Sequence, residues 1–264
     1  MTLDVLISTI DEGICKVPAV LLPPLEGIGW VVSMQYTDSR FLEIVPDVLK
    51  ERDDVTLTFL EGRGLSMNRN NAMAHSRADI LLMADDDCRY TESALRAVAE
   101  LYEMNPSYDI VCFSVTDYEG RPLKTYPMKM TMYATAQKGG YYPSSVEMSM
   151  RRGVGIRFDK RFGLGAELLC AGEEDVFLKD AVRAGYTVVV CPKQIASTDG
   201  NTTGGQFLDS KQLQLTKGAV FRYLYGRGEA LWRCLKEACH CWRSYRVNPF
   251  PILFNMVRGI WILR

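Results

Sequence analysis

The sequence predicts an α/β protein with a doubly wound, mostly parallel central sheet, helices on both faces and a C-terminal helical extension. Two observations support this prediction. Short apolar, β-branched runs alternate with helical patterns through the first half of the chain, as in a parallel sheet with crossover helices. The charge then changes: residues 1–216 hold 22 basic and 30 acidic side chains, whereas residues 217–264 hold nine basic and two acidic ones.

The composition excludes several classes of protein. A hydrophobic content of 47% with 24% charged residues is that of a globular domain, not of a disordered or fibrous chain. No apolar stretch approaches the ~20 residues of a transmembrane helix, and no basic region marks a signal peptide. Eight mostly scattered cysteines favour reduced thiols and a cytoplasmic location. The cluster Cys239-His240-Cys241 with Cys234 lacks the second pair of a zinc site and is interpreted as a helical face.

Five runs predict strands, because each is short, apolar and rich in β-branched residues. They cover residues 3–9, 30–34, 55–60, 80–84 and 110–115. A helix is expected from Ser66 to Ser76, with Ser66 as its cap. A second helix is expected after Thr91, a good N-cap residue, as far as about Asn105.

The second half of the chain is less regular. Residues 117–140 contain two prolines and predict hairpin and loop structure. A helix from Glu174 to Gly185, closed by a glycine C-cap, precedes a strand over residues 187–190. Residues 197–206 are polar and rich in glycine, and we expect a mobile loop there.

Three consecutive aspartates, Asp85, Asp86 and Asp87, follow the strand over residues 80–84. Like charges this close repel one another and raise the pKa of at least one carboxyl unless a cation neutralises them. The carboxyl ends of strands are also where open α/β sheets bind ligands. A divalent cation that bridges to substrate phosphates would satisfy both conditions. The alternative is a solvated turn that caps the next helix, although Thr91 supplies a better cap.

Four motifs, in matching order and spacing, resemble those of family 2 glycosyltransferases, which have the Rossmann-like GT-A fold. Two resemble the donor half of that family: GLSxxRNxA at residues 64–72 and ILLMADDD at residues 80–87. The others are similar to its acceptor half: RFDxxFG at 157–163, and EDVFL at 174–178 followed by AGY at 184–186. The resemblance implies a catalytic domain over 1–205, with a nucleotide-sugar-binding half over 1–115 and an acceptor half over 116–205. Residues 206–264 form the basic, aromatic helical extension.

The resemblance also implies the metal site. Asp85 and Asp87 match the DxD motif, with Asp86 between them as an alternative ligand. They would hold Mn²⁺ or Mg²⁺ against the diphosphate of a nucleotide-sugar donor and stabilise it as a leaving group. Members of the family often add a histidine from the last loop, which this chain lacks. Asp199 or water would take its place.

The remaining donor-site matches border the diphosphate and the nucleoside. Arg69, with Asn70 beside it, matches the family's arginine near the diphosphate or base, and Thr9 and Asp11 match the loop that borders the nucleoside. Many members also carry acidic residues after the second strand. The residues of this chain that would replace them are Gln35 and Asp38.

Transfer to a hydroxyl with inversion needs a base, because an acceptor hydroxyl is a poor nucleophile at neutral pH. Asp175 matches the base of the family, with Glu174 beside it to orient or hydrogen bond. The alternative is that acidic residues simply favour the start of a helix. With Glu173, however, there are three acids in a row, which is more than capping requires.

The tail contains an amphipathic helix. One face holds apolar residues at helical spacing: Leu231, Leu235, Ala238, Trp242 and Tyr245. The other face is basic: Arg233, Lys236, His240 and Arg243. Either the apolar face packs on the catalytic domain, or the helix attaches the enzyme to an anionic membrane. No nucleic-acid-binding motif is present, so nucleic acid is not an expected partner.

Together these patterns predict an inverting glycosyltransferase that uses a UDP-sugar and acts on a glycan or lipid-linked acceptor, in the synthesis of a surface polysaccharide. The location would be cytoplasmic, or peripheral on the cytoplasmic face of the membrane. The alternatives are a nucleotidyltransferase on a similar sheet and a non-catalytic nucleotide-sugar-binding subunit. The first would favour a glycine-rich, lysine-containing loop after the first strand, which residues 11–16 hardly resemble. The second is disfavoured by the intact aspartates.

Overall fold

The structure, a computed structural model, describes residues 1–200 and 203–263. The chain separates into two compact units. The first comprises Met1–Arg157 and Asp180–Gly200, and the second comprises Phe158–Lys179 and Asn201–Arg264. The functional boundary at residues 205 and 206 stays a prediction, because compactness and function need not divide a chain at the same residue.

The first unit contains one eight-stranded sheet. Its strands are β1 (Leu3–Ile10), β2 (Ile28–Tyr36), β3 (Val55–Glu61), β4 (Ile80–Asp85), β5 (Ile110–Asp117), β6 (Thr131–Met132), β7 (Met148–Arg151) and β8 (Val188–Thr198). Its helices are α1 (Asp47–Glu51), α2 (Leu65–His75), α3 (Glu92–Met104) and α4 (Tyr133–Lys138), with 3-10 helices at Asp11–Ala19, Ser39–Leu42 and Ser145–Glu147. The order across the sheet is β3-β2-β1-β4-β7-β5-β8-β6.

The topology reverses the strand order at one point of the sheet. Strand β2 pairs in parallel with β1, and β3 pairs in parallel with β2. The chain then returns, and β4 pairs in parallel with the other side of β1. Strands β5 and β8 are also parallel, whereas β7 is antiparallel to β4 and β5, and β6 to β8. The order reverses between β1 and β4, and open α/β sheets bind ligands at such a point. The predicted α/β fold is confirmed, with a mixed sheet.

The core of the first unit surrounds β1. Leu3, Val5, Leu6 and Ile7 have no accessible surface, because β1 lies between β2 and β4 with both of its faces covered. Burial of each such side chain contributes roughly 1.5–3 kcal/mol to folding. The apolar body of the strand therefore fixes the position of the polar residues at its end.

The two longest helices of the first unit, α2 and α3, have different residues at their N-termini. Thr91 caps α3 as predicted, and its Oγ1 accepts a hydrogen bond from the Ala94 amide at 3.2 Å. The predicted cap of α2 is wrong. Ser66 is buried within the first turn, and the residue before the helix is Gly64, whose φ of 139° favours glycine.

Three elements between Asp117 and Glu173 were not predicted, namely β6, α4 and β7. Strand β7 is only four residues long, too short to show a period. It nevertheless lies in the interior of the sheet, where Met148, Ser149 and Met150 are fully buried. Residues 117–123 do form the expected hairpin-like turn, in which the Leu123 amide donates to the Val115 carbonyl at 3.2 Å.

The helix α5 (Glu173–Arg183) confirms the prediction for that segment. Gly185, at φ 89°, follows its C-terminus, and the Tyr186 amide donates to the Ala181 carbonyl at 3.0 Å. Three further helices lie wholly within the second unit: α6 (Lys211–Tyr225), α7 (Arg227–Tyr245) and α8 (Pro249–Ile262). The predicted loop over residues 197–206 lies partly outside the described residues; β8 extends to Thr198, and residues 203–206 form a 3-10 turn.

Helices α6 and α8 cross with their backbones in contact. A Cβ at Gly218 would lie 1.8 Å from the Met256 carbonyl oxygen, and one at Gly259 would lie 1.8 Å from the Leu215 carbonyl oxygen. Only glycine permits such an approach. The crossing is therefore specified by two residues that carry no side chain.

The predicted packed face of α7 is wrong in part. The buried side holds small residues, Ala230, Cys234, Ala238 and Cys241, which pack with Ile252, Met256 and Ile260 of α8. Of the predicted face only Ala238 is buried, whereas the large residues Leu231, Leu235, Trp242 and Tyr245 are exposed. Small side chains let two helices approach closely, so the short residues are buried. None of the described helices is long and apolar enough to cross a membrane.

Candidate active site

The carboxyl ends of β1 and β4 form the centre of the candidate site. Ser8 pairs in register with Asp85, the last residue of β4. Thr9 therefore lies at the same edge of the sheet as Asp86 and Asp87. The structure thus brings the predicted nucleoside loop and the acidic cluster together at the point where the strand order reverses.

Asp86 is bound by one residue at the end of β1 and one in the segment that follows it. Thr9 Oγ1 donates a hydrogen bond of 2.6 Å to Asp86 Oδ2, and Lys16 Nζ lies 3.9 Å from Asp86 Oδ1. Burial raises the pKa of Asp86, whereas the Thr9 hydrogen bond and the Lys16 charge lower it. Lys16 was not predicted as a site residue, and nothing in the local sequence distinguishes it from a surface lysine.

Asp87 has a different environment. The Asp199 amide donates to Asp87 Oδ2 at 3.1 Å, and Tyr118 Oη donates to the Asp87 carbonyl at 2.6 Å. The Arg89 guanidinium stacks 3.7 Å from the Tyr118 ring centroid. Burial, followed by the charges of Asp85 and Asp199, raises the pKa of Asp87 to about 6. A cation bound beside this carboxyl would offset the repulsion that raises its pKa.

The donor set fits a divalent cation bound together with a diphosphate. Among residues 1–200 and 203–263, no group of three or more His, Cys, Asp or Glu side chains is placed to hold a metal ion. Asp199 nevertheless lies beside Asp87: its amide donates to Asp87 Oδ2 at 3.1 Å, and the charge of its carboxylate raises the pKa of Asp87. Mg²⁺ typically takes one or two carboxylates and completes its octahedron with water and substrate phosphate. Two carboxyls are therefore enough if the substrate supplies the other oxygens.

Arg69 is a buried residue that contacts the acidic cluster through Asp85. Only 2% of its side chain is exposed, and its Nη2 lies 3.3 Å from Asp85 Oδ1. The same nitrogen hydrogen-bonds Ser145 Oγ. A buried guanidinium is tolerated only when it is paired. Arg69 therefore neutralises one of the three aspartates and links α2 to the segment before β7.

The asparagines of α2 hold the first two strands in place. Asn68 Nδ2 donates to the Thr9 carbonyl at 2.9 Å, and Asn68 Oδ1 accepts from Ser33 Oγ at 2.6 Å. Asn71 Nδ2 donates to Ser33 Oγ at 2.8 Å. Asn70, a predicted donor-site residue, is half-buried. Asn68 was missed, although three asparagines within one helix are a signal, since such residues disfavour helix interiors.

The predicted nucleoside residues are only partly brought together. Asp11, at φ 50°, accepts hydrogen bonds from the Thr37 amide at 2.7 Å and the Thr37 hydroxyl at 3.0 Å, so it joins the ends of β1 and β2. Gln35 is 2% exposed, and its Nε2 has no hydrogen-bond partner among the described residues. Asp38 is engaged locally: it caps a 3-10 helix and binds Arg40 at 2.8 Å, which lowers the pKa of its carboxyl.

Glu174 and Asp175 lie in the second unit, at the start of α5. Both are half-buried, and Glu173 before them is buried. Gly172 precedes the helix at φ 83°, and a Cβ there would lie 2.4 Å from Val220 Cγ2 of α6. This close approach anchors the first turn of α5 against α6. The structure therefore places the predicted base in the first turn of a helix whose start packs closely on α6.

The middle of the sequence matches a known protein family. Residues 37–165 match the family described as Glycosyl transferase family 2. The resemblance to family 2 glycosyltransferases is thereby confirmed. The matched family 2 segment contains Arg69 and the acidic cluster, whereas Thr9, Glu174 and Asp175 lie outside it. No curated protein matches the sequence.

Solved structures confirm the GT-A fold. The crystal structure of S. aureus TarS 1-349 superposes with a TM-score of 0.61 at 15% identity, over 98% of this chain and 90% of that chain. The complex of the same protein with UDP-GlcNAc gives 0.60 at 14% identity, over 98% and 90%. The complex with UDP gives 0.58 at 17% identity, over 95% and 74%. At these identities the likeness establishes the fold alone.

Proposed function

We propose that the protein is an inverting, metal-dependent glycosyltransferase that moves a sugar from a UDP-sugar to a hydroxyl of a glycan or lipid-linked acceptor in surface polysaccharide synthesis. The observation that carries the proposal is the acidic cluster Asp85, Asp86 and Asp87 at the carboxyl end of β4, where the Asp199 amide donates to Asp87 Oδ2 at 3.1 Å. The family 2 match includes the acidic cluster. A uridine donor is supported by TarS, whose crystals hold UDP and UDP-GlcNAc.

On the donor side, Asp85 and Asp87 would hold Mn²⁺ or Mg²⁺, with Asp199 of the last loop as a further ligand. The cation supplies positive charge against the diphosphate and stabilises it as a leaving group. Asp86 is oriented by Thr9 and Lys16. Arg69 neutralises Asp85, which reduces the repulsion that an incoming diphosphate meets.

On the acceptor side, Asp175 accepts the proton of the attacking hydroxyl as the bond to the anomeric carbon forms. Removal of the proton during attack makes a neutral hydroxyl an adequate nucleophile. A single in-line displacement inverts the anomeric centre. Glu174, the neighbouring residue in the first turn of α5, orients the base or the acceptor. The configuration of the product, read by NMR at early times, tests the inversion.

Binding of the donor nucleotide should require a cation, because adjacent carboxylates repel a diphosphate. Calorimetric titration of UDP is expected to give binding in Mn²⁺ and none in chelator. Asp87→Asn should abolish the Mn²⁺-dependent binding. The matched control Asp47→Asn, which alters an exposed carboxylate paired with Lys50, should leave it unchanged. Equal affinity in Mn²⁺ and in chelator would show that the cluster has another role.

Release of UDP from UDP-sugars then separates the enzyme from a binding subunit. We expect at least one UDP-sugar to be hydrolysed slowly in Mn²⁺ without acceptor. Cation-dependent binding of UDP without hydrolysis or transfer of any donor would favour the non-catalytic subunit instead.

A further inference from the structure

The outer side of α7 exposes a stripe of large apolar side chains. Leu231, Leu235 and Trp242 are 42–53% exposed, and Trp232 is 61% exposed. At about 100° per residue, Leu231, Leu235 and Trp242 fall within about 40° of one another around the helix axis. The stripe lies beside the buried face formed with α8, not within it. This position needs an explanation, because a large apolar group gains nothing from contact with water.

Helix α8 exposes a second row of aromatic residues. Phe250 is 75% exposed, Phe254 is 62% exposed and Trp261 is 58% exposed. Their spacing of four and seven residues puts all three on one face of the helix. The opposite face, with Ile252, Met256 and Ile260, is the one buried against α7. The two helices therefore bury small and aliphatic residues and expose their aromatic ones.

The charges beside these rows are positive and largely uncompensated. Residues 217–264 hold nine basic and two acidic residues, a balance of +7. Both acidic residues are already paired, Glu229 with Arg233 at 2.8 Å and Glu237 with Lys217 at 2.7 Å. Lys236 and Arg243 are exposed on α7, on the side of the apolar stripe that faces away from the buried face of the helix. The surface thus combines an apolar row with a positive border.

We propose that the apolar stripe of α7, formed by Leu231, Trp232, Leu235 and Trp242 with the basic residues Lys236 and Arg243 on the same helix, binds an anionic lipid membrane peripherally. Tryptophan prefers the boundary between water and hydrocarbon, and basic residues are attracted to anionic headgroups. A second copy of the chain is a poorer occupant, because it would bring two surfaces of positive charge together. The proposal does not depend on the reaction, so membrane binding and sugar transfer can fail separately.

The tryptophans provide a direct measurement. Two of the four are exposed on the α7 stripe and Trp261 is exposed on α8, whereas Trp30 is buried. Phosphatidylglycerol vesicles should sediment the full chain, shift its emission to shorter wavelength and protect it from an aqueous quencher. High salt should reverse all three effects, because the Debye length falls to about 3 Å at 1 M. Neutral phosphatidylcholine vesicles should bind much more weakly.

Variants test the two parts of the surface. Lys236→Gln with Arg243→Gln should weaken binding about 25-fold, about fivefold for each basic residue. Trp232→Ser with Trp242→Ser should remove most of the emission shift. The matched control, Lys50→Gln with Arg77→Gln, neutralises two exposed basic residues of the first unit and should bind as the parent does. Circular dichroism checks that each variant is folded.

Three outcomes would overturn the proposal. The first is equal or absent binding to both kinds of vesicle. The second is self-association in sedimentation equilibrium that buries the tryptophans and is lost in the Trp232→Ser, Trp242→Ser variant. The third is tighter binding to a single-stranded oligonucleotide than to anionic vesicles, lost in the Lys236→Gln, Arg243→Gln variant.

Discussion

At the scale of single residues, Asp87 opposes folding when no cation is bound. Its pKa is raised to about 6, first by burial and then by the charges of Asp85 and Asp199, whereas an unfolded aspartate titrates near 3.9. The folded state therefore holds a proton that the unfolded state has already lost. Stability of the cation-free protein falls as pH rises from about 4 to about 6, and the full penalty is present above that range.

Mn²⁺ with UDP should consequently stabilise the protein more at pH 7 than at pH 5. Above pH 6 the carboxyl is ionised and available to the cation, whereas below it a proton competes. The measurement is the shift in unfolding midpoint on addition of Mn²⁺ and UDP, at both pH values. Asp87→Asn should remove the difference between them. A shift of the same size at both pH values would contradict this account of Asp87.

The sequence alone predicts the acidic cluster but not the separate environment of each aspartate. Three aspartates after an apolar strand are visible as a pattern. Their partners Lys16 and Tyr118 come from distant parts of the chain, and nothing local distinguishes those two residues, whereas Asp199 is expected near the cluster only because of the family resemblance. Only the sheet topology determines which of them meet.

At the scale of elements, the α6–α8 crossing has no room for a side chain. Gly218→Ala would place its methyl group against the Met256 carbonyl, and backbone cannot move aside as a side-chain tip can. Overpacking of this kind typically costs about 1–3 kcal/mol. Urea unfolding followed by tryptophan emission reports mainly this unit, because it holds three of the four tryptophans. We expect a clear loss of stability.

Gly228→Ala is the matched control for that prediction. Gly228 lies in α7, and a Cβ there would meet nothing within 4 Å. Alanine is a better helix former than glycine by about 1 kcal/mol. The variant should therefore be as stable as the parent or more so. If both alanine variants behaved alike, the close crossing would not limit the stability of these helices.

Elements whose sequence shows a clear hydrophobic pattern were predictable. The short strand β7 and the buried face of the closely packed helix α7 were not. Strands β1 to β5 and helix α3 follow directly from apolar runs and a capping threonine. Strand β7 is too short to show a pattern. The face of α7 was misjudged because hydrophobicity predicts burial, whereas a close helix pair selects small residues such as Ala230 and Ala238.

At the scale of the whole molecule, donor binding and transfer depend on different residues. The Asp175→Asn variant retains every residue of the acidic cluster and should keep its affinity for UDP in Mn²⁺. Transfer should fall by about 10²–10⁴-fold, the usual contribution of a general base. Rates of transfer and of UDP binding, measured side by side, check this. Near-normal transfer would assign the base to another residue, with Glu174 or Glu173 next to be tested.

Strand β7 has a consequence for how the chain folds. It is the one strand that joins the β3-β2-β1-β4 half of the sheet to the β5-β8-β6 half, and it pairs Leu82 with Ser149, far away in sequence. Closing a long loop costs entropy before any contact rewards it, so such pairings form slowly. The parallel half before it can form from nearer contacts. Refolding should therefore be limited by the insertion of these four residues, and until then both halves expose an open edge to other chains.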